Sequence, residues 1–351
     1  AQRDGRCGRR GRAPERADPT LVTIPMRDAW ADTLVKLAET NPDILVLDGD
    51  LGTSTRADRF AAAHPEQFLQ MGIAEQNLVG VAAGLASLGY VPWLSSFAVF
   101  FTHRALDQVR LVVAQTSANV KIGAAYTGLL TGFTGKTHQD VEDLAIMRAM
   151  PGMTVLAPAD ATECAAMIRW ASANVGPVYL RLARDAGPEV FGPDYEFEPG
   201  RIVRLRDGDD VLVVSTGTQT ARSLAAAELL AARGISAGLV HVPTVKPVDA
   251  AAIAAAARDV GLVVSVEEHT IHGGLGGLVA EILSELEPRR LVRIGISDTW
   301  GESAPNDFLL ERHGLSPERV AERIERDWSR LGDRRSVTPA PSRSSSTKVV
   351  E

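Results

Sequence analysis

The fold of this chain is decided by residues 70–84, QMGIAEQNLVGVAAG, with Glu75 at their centre. The small and apolar residues after Glu75 are spaced for a helix that has this acid in its first turn. The positive end of a helix dipole favours a carboxylate there, whereas burial among apolar residues penalises its charge. Such an acid is suited to share a proton with a ligand. The alternative is a Glu that only caps its own helix.

Outward from this segment, strand patterns alternate with helical patterns. The first strands are predicted at ILVLDGD, VPWLSSF, NVKIGAAY, MTVLAPAD and PVYLRLA. A second, smaller set follows at DVLVVSTG, SAGLVHV, GLVVSVEEH and LVRIGI. Alternation of this kind predicts a mainly parallel sheet covered by helices on both faces. The predicted fold class is therefore α/β, with two α/β domains of which the second is smaller.

The domain boundaries are predicted from composition. We expect a first domain over residues 21–190, a linker rich in Pro and Gly over 191–208, and a second domain over 209–333. Residues 1–20 contain six arginines with Gly and Pro, and residues 334–351 are rich in Ser and Pro. Segments with so few bulky apolar residues predict a disordered leader and a disordered tail.

Composition excludes several classes of protein. The chain has 351 residues, is 45% hydrophobic, and contains no apolar run long enough to span a bilayer. Its net charge of −7, from 37 basic and 44 acidic residues, does not suggest a nucleic-acid partner. The two cysteines, Cys7 and Cys164, form no disulfide or metal pattern. We expect a protein of the reducing cytoplasm, without a membrane or nucleic-acid partner.

Three further motifs follow the Glu75 segment in order. Phe97 and Phe100 lie in SSFAVFFTHRALDQVR, His138 lies in TGKTHQDVEDL, and PGMTVLAPAD comes next. Together with GIAEQ, these motifs resemble the pyrimidine-binding domain of the transketolase family of thiamine diphosphate enzymes. The resemblance covers roughly residues 23–326, which is most of the chain.

The resemblance implies a role for Glu75. In this family thiamine diphosphate supplies the carbanion chemistry itself. A carboxyl group in the family's GIxE motif hydrogen-bonds the N1′ atom of the aminopyrimidine and helps a proton leave the cofactor. Glu75 matches that motif and is implied to be catalytic. A positioned proton-transfer group of this kind contributes about 10² to 10⁴ in rate.

The resemblance also implies the rest of the cofactor pocket. Phe97 and Phe100 match the phenylalanines that stack on the aminopyrimidine, although paired core aromatics alone would have the same pattern. His103 lies where transketolases commonly have an aromatic residue beside the pyrimidine. Asp50 and Leu51 match a stretch at the domain interface.

On the substrate side, His138 matches the histidine of the family's THQ motif, which lies over the reacting carbons. A lone loop histidine is otherwise more often structural. Two positions depart from the family pattern. Thr134 stands where an acidic residue usually holds a hydroxyl of the sugar donor, and Tyr126 stands where the family often has His. These departures bear on the choice of donor sugar.

The resemblance further implies a phosphate site for sugar phosphate substrates. Arg184 matches the family's phosphate-binding arginine, and Arg27 and Ser54 match two further phosphate contacts. The planar guanidinium group suits phosphate geometry. The alternative for Arg27 is a surface arginine in solvent.

No metal ligand is predicted in this chain. Gly49-Asp50 followed by Asn77 superficially resembles the family's metal–diphosphate motif, but Leu51 replaces the second glycine, and Asn77 belongs to GIAEQN. We therefore expect a separate N-terminal, diphosphate-binding subunit to supply the Mg²⁺ ligands. The expected assembly is α2β2.

The leading hypothesis is the C-terminal subunit of a split transketolase, which moves a two-carbon ketol unit from a ketose phosphate to an aldose. One alternative is the beta subunit of a 2-oxo-acid dehydrogenase, which usually lacks the paired THQ and PAD motifs. A deoxyxylulose-type synthase is also related, but its chain carries both cofactor domains. The third alternative is a non-catalytic scaffold of the same fold, and retention of Glu75 and His138 argues against it.

Overall fold

A computed structural model describes residues 24–336, with side chains up to residue 331. The predicted leader lies outside the described residues, as does most of the predicted tail. The strands of the described part are β1 (Ile44–Asp48), β2 (Phe68–Gln70), β3 (Val91–Phe97), β4 (Lys121–Ala125), β5 (Thr154–Leu156), β6 (Val178–Leu182), β7 (Val203–Arg206), β8 (Val211–Ser215), β9 (Ala237–His241), β10 (Thr244–Lys246), β11 (Leu262–Thr270) and β12 (Leu291–Ile296).

Helices separate most of these strands, as the alternating pattern predicts. The α-helices of the described part are α1 (Met26–Ala38), α2 (Gly52–Thr55), α3 (Ala57–Ala63), α4 (Glu75–Ser87), α5 (Leu106–Gln108), α6 (Asp143–Arg148), α7 (Ala161–Ala173), α8 (Gln219–Ala232), α9 (Ala250–Ala257), α10 (Leu275–Leu286), α11 (Asn306–Arg312) and α12 (Pro317–Ser336). Short π-helices at Phe100–Arg104 and Val109–Ala114 flank α5.

The strands form two sheets. The first has the order β10-β5-β6-β4-β3-β1-β2, and its neighbours are parallel except for the pair β10 and β5. The second has the order β12-β11-β8-β9-β7, in which only β7 runs antiparallel to its neighbour. Two mainly parallel α/β units, a larger one followed by a smaller one, confirm the predicted fold class.

Three short strands, β2, β7 and β10, were not predicted from the sequence. Strand β7 lies within the predicted linker and pairs with β9. Strand β10 comes from the second half of the chain but pairs with β5 in the first sheet. One hydrophobic cluster also includes buried residues of both halves, among them Met147 and Leu275. The two units are therefore packed together through shared pairing and a shared core.

The first sheet brings the predicted site residues to one edge. Residues 49–51 follow β1, the segment from Ala98 follows β3, Tyr126 follows β4, and Arg184 follows β6. Since the carboxyl ends of parallel strands meet at the same edge of a sheet, these loops converge. The register supports this, because Phe97 on β3 is opposite Ala125 on β4. Within the described part, no helix is both long and apolar enough to cross a membrane.

Candidate functional site

Glu75 is the first residue of α4, and it is 1% exposed. Its Oε2 accepts a hydrogen bond from Arg104 Nη1 at 2.7 Å, and its Oε1 is 3.4 Å from the Ser96 hydroxyl that donates to it. The sequence predicted almost entirely apolar surroundings, and the structure corrects this by adding a cation. An ion pair offsets part of the cost of burying the carboxylate.

Arg104 is a site residue that the sequence did not predict. Besides pairing with Glu75, its guanidinium carbon lies 4.1 Å above the centre of the Phe100 ring. The side chain of Gln76 donates to the Arg104 carbonyl oxygen at 3.0 Å. Arg104 closes the π-helix Phe100–Arg104, and such turns are rare and often occur at functional sites. Its spacing of four residues from Phe100 was the available signal, because helical neighbours four apart lie on the same face.

Four aromatic rings form the centre of the site. The ring of Phe97 stacks on Tyr126 at 4.0 Å and lies 5.8 Å from the ring of Phe100. The His138 imidazole lies edge-on to both phenylalanines, at 5.7 Å from each centroid. Leu51 packs against the same cluster. The structure thus brings together the stacking residues and the histidine that the sequence predicted.

The turn that carries Asp50 and Leu51 is held by Asp48. Burial raises the pKa of the Asp48 carboxyl, while hydrogen bonds from Gln70 and Ser95 oppose that rise. Its Oδ2 accepts the backbone N–H of Leu51 at 3.0 Å. Asp50 has a φ of 65° and an exposed side chain. Of the two predicted interface residues, Leu51 therefore contacts the aromatic cluster, and Asp50 forms the turn beside it.

The predicted phosphate ligands gather around Tyr126. Arg27 Nη1 donates to the Ser54 carbonyl at 2.9 Å and to the Tyr126 hydroxyl at 3.3 Å. The Arg184 guanidinium lies 5.5 Å from the Tyr126 ring centre. The contact with Tyr126 raises the pKa of Arg184, and Asp185 adds to this rise. Two cations beside one hydroxyl form a place where an anionic group can be held.

Tyr126 itself has a φ of 61°. A bulky aromatic residue seldom adopts this left-handed conformation, and strained positions of this kind cluster at functional sites. The strained turn directs the Tyr126 ring onto Phe97 and its hydroxyl towards the arginines. Tyr126 thus links the aromatic cluster to the cationic group.

Two predicted residues lie in other environments. His103 is 46% exposed at its side chain, and its Nε2 lies 3.2 Å from Glu142 Oε1. Thr134 donates to the hydroxyl of Thr131 at 2.7 Å, within its own turn. His103 thus lies against Glu142, and Thr134 lies against Thr131.

His103 and Glu142, together with Asp140, present possible metal-ligand atoms within 4.8 Å of one another. Asp140 already accepts the Thr102 hydroxyl at 2.6 Å. Burial, with the nearby Asp143 charge, raises the pKa of Asp140 to about 8. A carboxyl group that keeps its proton is a poor metal ligand. The absence of a metal ligand in this chain stays a prediction.

The chemistry of this group suits the aminopyrimidine half of thiamine diphosphate. A buried carboxylate lies next to Ser96, which precedes Phe97, and the Phe97 and Phe100 rings provide apolar faces for a planar ligand. The imidazole of His138 lies over the edges of the same rings. Proton exchange, ring stacking and hydrogen bonding to a substrate can therefore occur side by side.

Each of the two α/β units matches a model of a known protein domain. Residues 22–189 match the model of the transketolase pyrimidine binding domain, and residues 200–320 match that of the transketolase C-terminal domain. A putative transketolase C-terminal section from Methanocaldococcus jannaschii is 41% identical over 302 residues, covering 85% of this chain and 95% of the relative. A 6-deoxy-6-sulfo-D-fructose transketolase subunit from Clostridium sp. is 39% identical, covering 84% of this chain and 92% of that subunit.

A solved structure is also similar. It is described as a split gene transketolase in an inactive beta4 tetramer, and it is 44% identical to this chain. The match has a TM-score of 0.80 and covers 88% of this chain and 99% of that one.

Proposed function

The chain belongs to the transketolase family, and we propose that it is the pyrimidine-binding subunit of a two-subunit transketolase. In this proposal it acts together with a separate diphosphate-binding subunit and transfers a two-carbon ketol unit from a ketose donor to an aldose acceptor. The observation that carries the proposal is the buried Glu75 carboxylate beside the stacked Phe97 and Phe100 rings. A non-catalytic scaffold would have no need to keep a carboxylate in such a costly position.

The cofactor, when bound, supplies a carbanion and an electron sink for cleavage and formation of the carbon–carbon bond. Glu75 would hold the N1′ atom of the aminopyrimidine and exchange a proton with it. Phe97 and Phe100 would orient the ring and exclude water, and Leu51 would close the apolar pocket. His138 would hydrogen-bond the substrate oxygens near the reacting carbons.

The donor would carry an anionic group. Arg27 donates to the Tyr126 hydroxyl and the Arg184 guanidinium lies 5.5 Å from the Tyr126 ring centre, which supports an anion site beside Tyr126. The Clostridium sp. relative is named for a sulfo sugar. Phosphate and sulfonate share the tetrahedral, multi-acceptor geometry that arginine recognises. We therefore propose an anionic ketose as the substrate class, with the particular sugar set by Tyr126 and Thr134.

The need for a partner is supported by the relatives. This chain covers more than nine-tenths of a relative named as a C-terminal section and of one named as a subunit. The solved relative consists of beta subunits and is described as inactive. We propose that the partner supplies the Mg²⁺ ligands and the diphosphate site, in an α2β2 assembly.

The test is a donor panel with the assembled complex. Xylulose 5-phosphate, fructose 6-phosphate, 6-deoxy-6-sulfofructose and unphosphorylated fructose would be offered with an aldose phosphate acceptor. The proposal predicts ketol transfer from at least one anionic donor, with a KM far below that of fructose. Oxidative decarboxylation of a 2-oxo acid, with no ketol transfer from any sugar, would contradict it.

A further inference from the structure

The second α/β unit contacts the loop that carries His138. We call residues 127–139 the site loop. It leaves the first sheet after β4, includes Thr134, and carries His138 to the aromatic cluster. A catalytic side chain on a loop needs that loop held to within a fraction of an ångström.

Glu268 on β11 makes the most buried of these contacts. The residue is 3% exposed, and its Oε1 accepts the backbone N–H groups of Leu129 at 2.9 Å and Leu130 at 3.1 Å. Its Oε2 accepts the Thr218 hydroxyl at 3.1 Å and lies 3.5 Å from Arg222 Nη1. Charge-assisted bonds to two successive backbone amides fix the start of the site loop.

Gly128, the residue before Leu129, leaves space for the Glu268 carboxylate. Its φ is +73°, and a Cβ added there would lie 2.3 Å from Glu268 Oε1. No residue with a side chain could occupy this position without moving the carboxylate or the loop. The glycine therefore lets the backbone approach Glu268 closely enough for both hydrogen bonds.

Further along, the second unit contacts the site loop at its far end. Ser303 Oγ donates to the Phe133 carbonyl at 2.7 Å, and Gln139 Nε2 donates to the Glu302 carbonyl at 3.0 Å. Asn306 Nδ2 donates to Asp185 at 2.6 Å, and Asp185 pairs with Arg184 at 2.7 Å. The second unit thus reaches both the histidine loop and one proposed anion-binding arginine.

We propose that Glu268 is a positioning residue for the substrate half of the site, and that the second α/β unit acts in catalysis through this contact. This inference rests on the proposed function, because it assigns His138 to substrate. Glu268 acts by accepting two hydrogen bonds from the loop backbone. Without them the first turn of the site loop opens, and His138 loses its place over the phenylalanine rings.

The neighbouring Glu267 provides a matched control. Its carboxylate also accepts two backbone N–H groups, from Leu275 and Gly276, both at 2.7 Å. Successive residues of a strand point to opposite faces of the sheet, so Glu267 holds the start of α10 in its own unit. Glu267 and Glu268 are both buried, lie on the same strand and each accept two backbone N–H groups. Glu267 holds the start of α10, whereas Glu268 holds the start of the site loop.

The experiment compares Glu268→Ala, Glu268→Gln and Glu267→Ala in the assembled complex. For each variant we would measure hydrogen exchange at the amides of residues 129 and 130. We would also measure kcat and KM for the donor, and the Kd of thiamine diphosphate. For Glu268→Ala we expect exchange at least tenfold faster and kcat/KM lower by about 10- to 100-fold, with cofactor Kd within twofold of wild type. Glu268→Gln keeps an acceptor oxygen, so its amide exchange rate and its kcat/KM should each lie within about threefold of wild type.

Glu267→Ala should lower the thermal midpoint but leave exchange of the site loop and the donor KM unchanged. If Glu268→Ala fails to fold, Glu268→Asp replaces it, because it keeps the charge but shortens the reach to the loop. Loop exchange and kcat/KM equal to those of Glu267→Ala would overturn the inference, as would failure of Glu268→Gln to restore them. If wild-type complex shows no ketol transfer, the proposed function fails, while the exchange comparison still decides whether Glu268 anchors the loop.

Discussion

Glu75 carries its charge in a place where charge is costly, and Arg104 compensates for it. The carboxylate is buried, whereas the Arg104 side chain is 44% exposed and covers one face of Phe100. The cation therefore holds Glu75 and Phe100, two of the residues that we propose for the aminopyrimidine. Motif and helix position predicted Glu75, whereas its pairing with Arg104 joins residues 29 positions apart, which local patterns do not contain.

Replacing Glu75 by Gln keeps the shape of the side chain and removes its ability to exchange a proton. We expect kcat of the assembled complex to fall by about 10² to 10⁴, with assembly unchanged. The exposed Glu66→Gln on the segment before β2 serves as the control. Steady-state kinetics with one anionic donor make the comparison, and a loss of less than about threefold would rule out the role given to Glu75.

Asp140 makes the stability of the chain depend on pH. Burial raises its pKa from 3.8 to about 8, so the folded state keeps a proton that the unfolded state has lost. Its contribution to stability is complete below about pH 4 and is lost as the pH rises through about 8. Asp140→Asn lacks this titration. We therefore expect the unfolding free energy of Asp140→Asn, relative to that of wild type, to increase from pH 5 to pH 9.

Urea unfolding of both proteins at pH 5, 7 and 9 measures this difference. The exposed Asp194→Asn provides the control, because its difference from wild type should stay constant. A constant difference for Asp140→Asn as well would show that Asp140 does not keep its proton in the folded state.

At the level of elements, long buried strands and amphipathic helices could be predicted, and short paired segments could not. The first four residues of ILVLD and of VLVVS are continuously apolar, as buried parallel strands usually are. Strands β7 and β10 have only four and three residues, and they exist because a partner strand is available. Their pairing depends on contacts distant in sequence, which local patterns do not contain.

Helix α4, which presents Glu75, contains a glycine that its structure does not require. A Cβ at Gly84 would meet nothing within 4 Å, and its φ is not positive. Gly84→Ala should raise the unfolding free energy of the chain by about 0.5 to 1 kcal/mol, because alanine loses less backbone entropy. Chemical denaturation measures the change.

Gly89, just beyond the same helix, is the matched control. It also has open space, but its φ is +97°. Gly89→Ala should therefore destabilise the chain by about 1 to 2 kcal/mol. Equal effects of the two substitutions would contradict the assignment of these energies to backbone conformation.

For the whole molecule, the sequence predicted two α/β units and placed the site at the first, and it missed how closely the second contributes. Composition and periodicity report what lies inside each unit. The contacts of Glu268 and Asn306 cross between units and join residues more than a hundred positions apart. Only the folded structure brings such pairs together, which is why the site loop's anchors had no signal in the sequence.

We propose above that this chain holds one half of a shared thiamine diphosphate site. Calorimetric titration of thiamine diphosphate with Mg²⁺ into the chain, alone and then mixed with the diphosphate-binding subunit of a split transketolase, tests it most directly. We expect saturable, Mg²⁺-dependent binding in the mixture and none with this chain alone. Tight, Mg²⁺-dependent binding by this chain alone would contradict it.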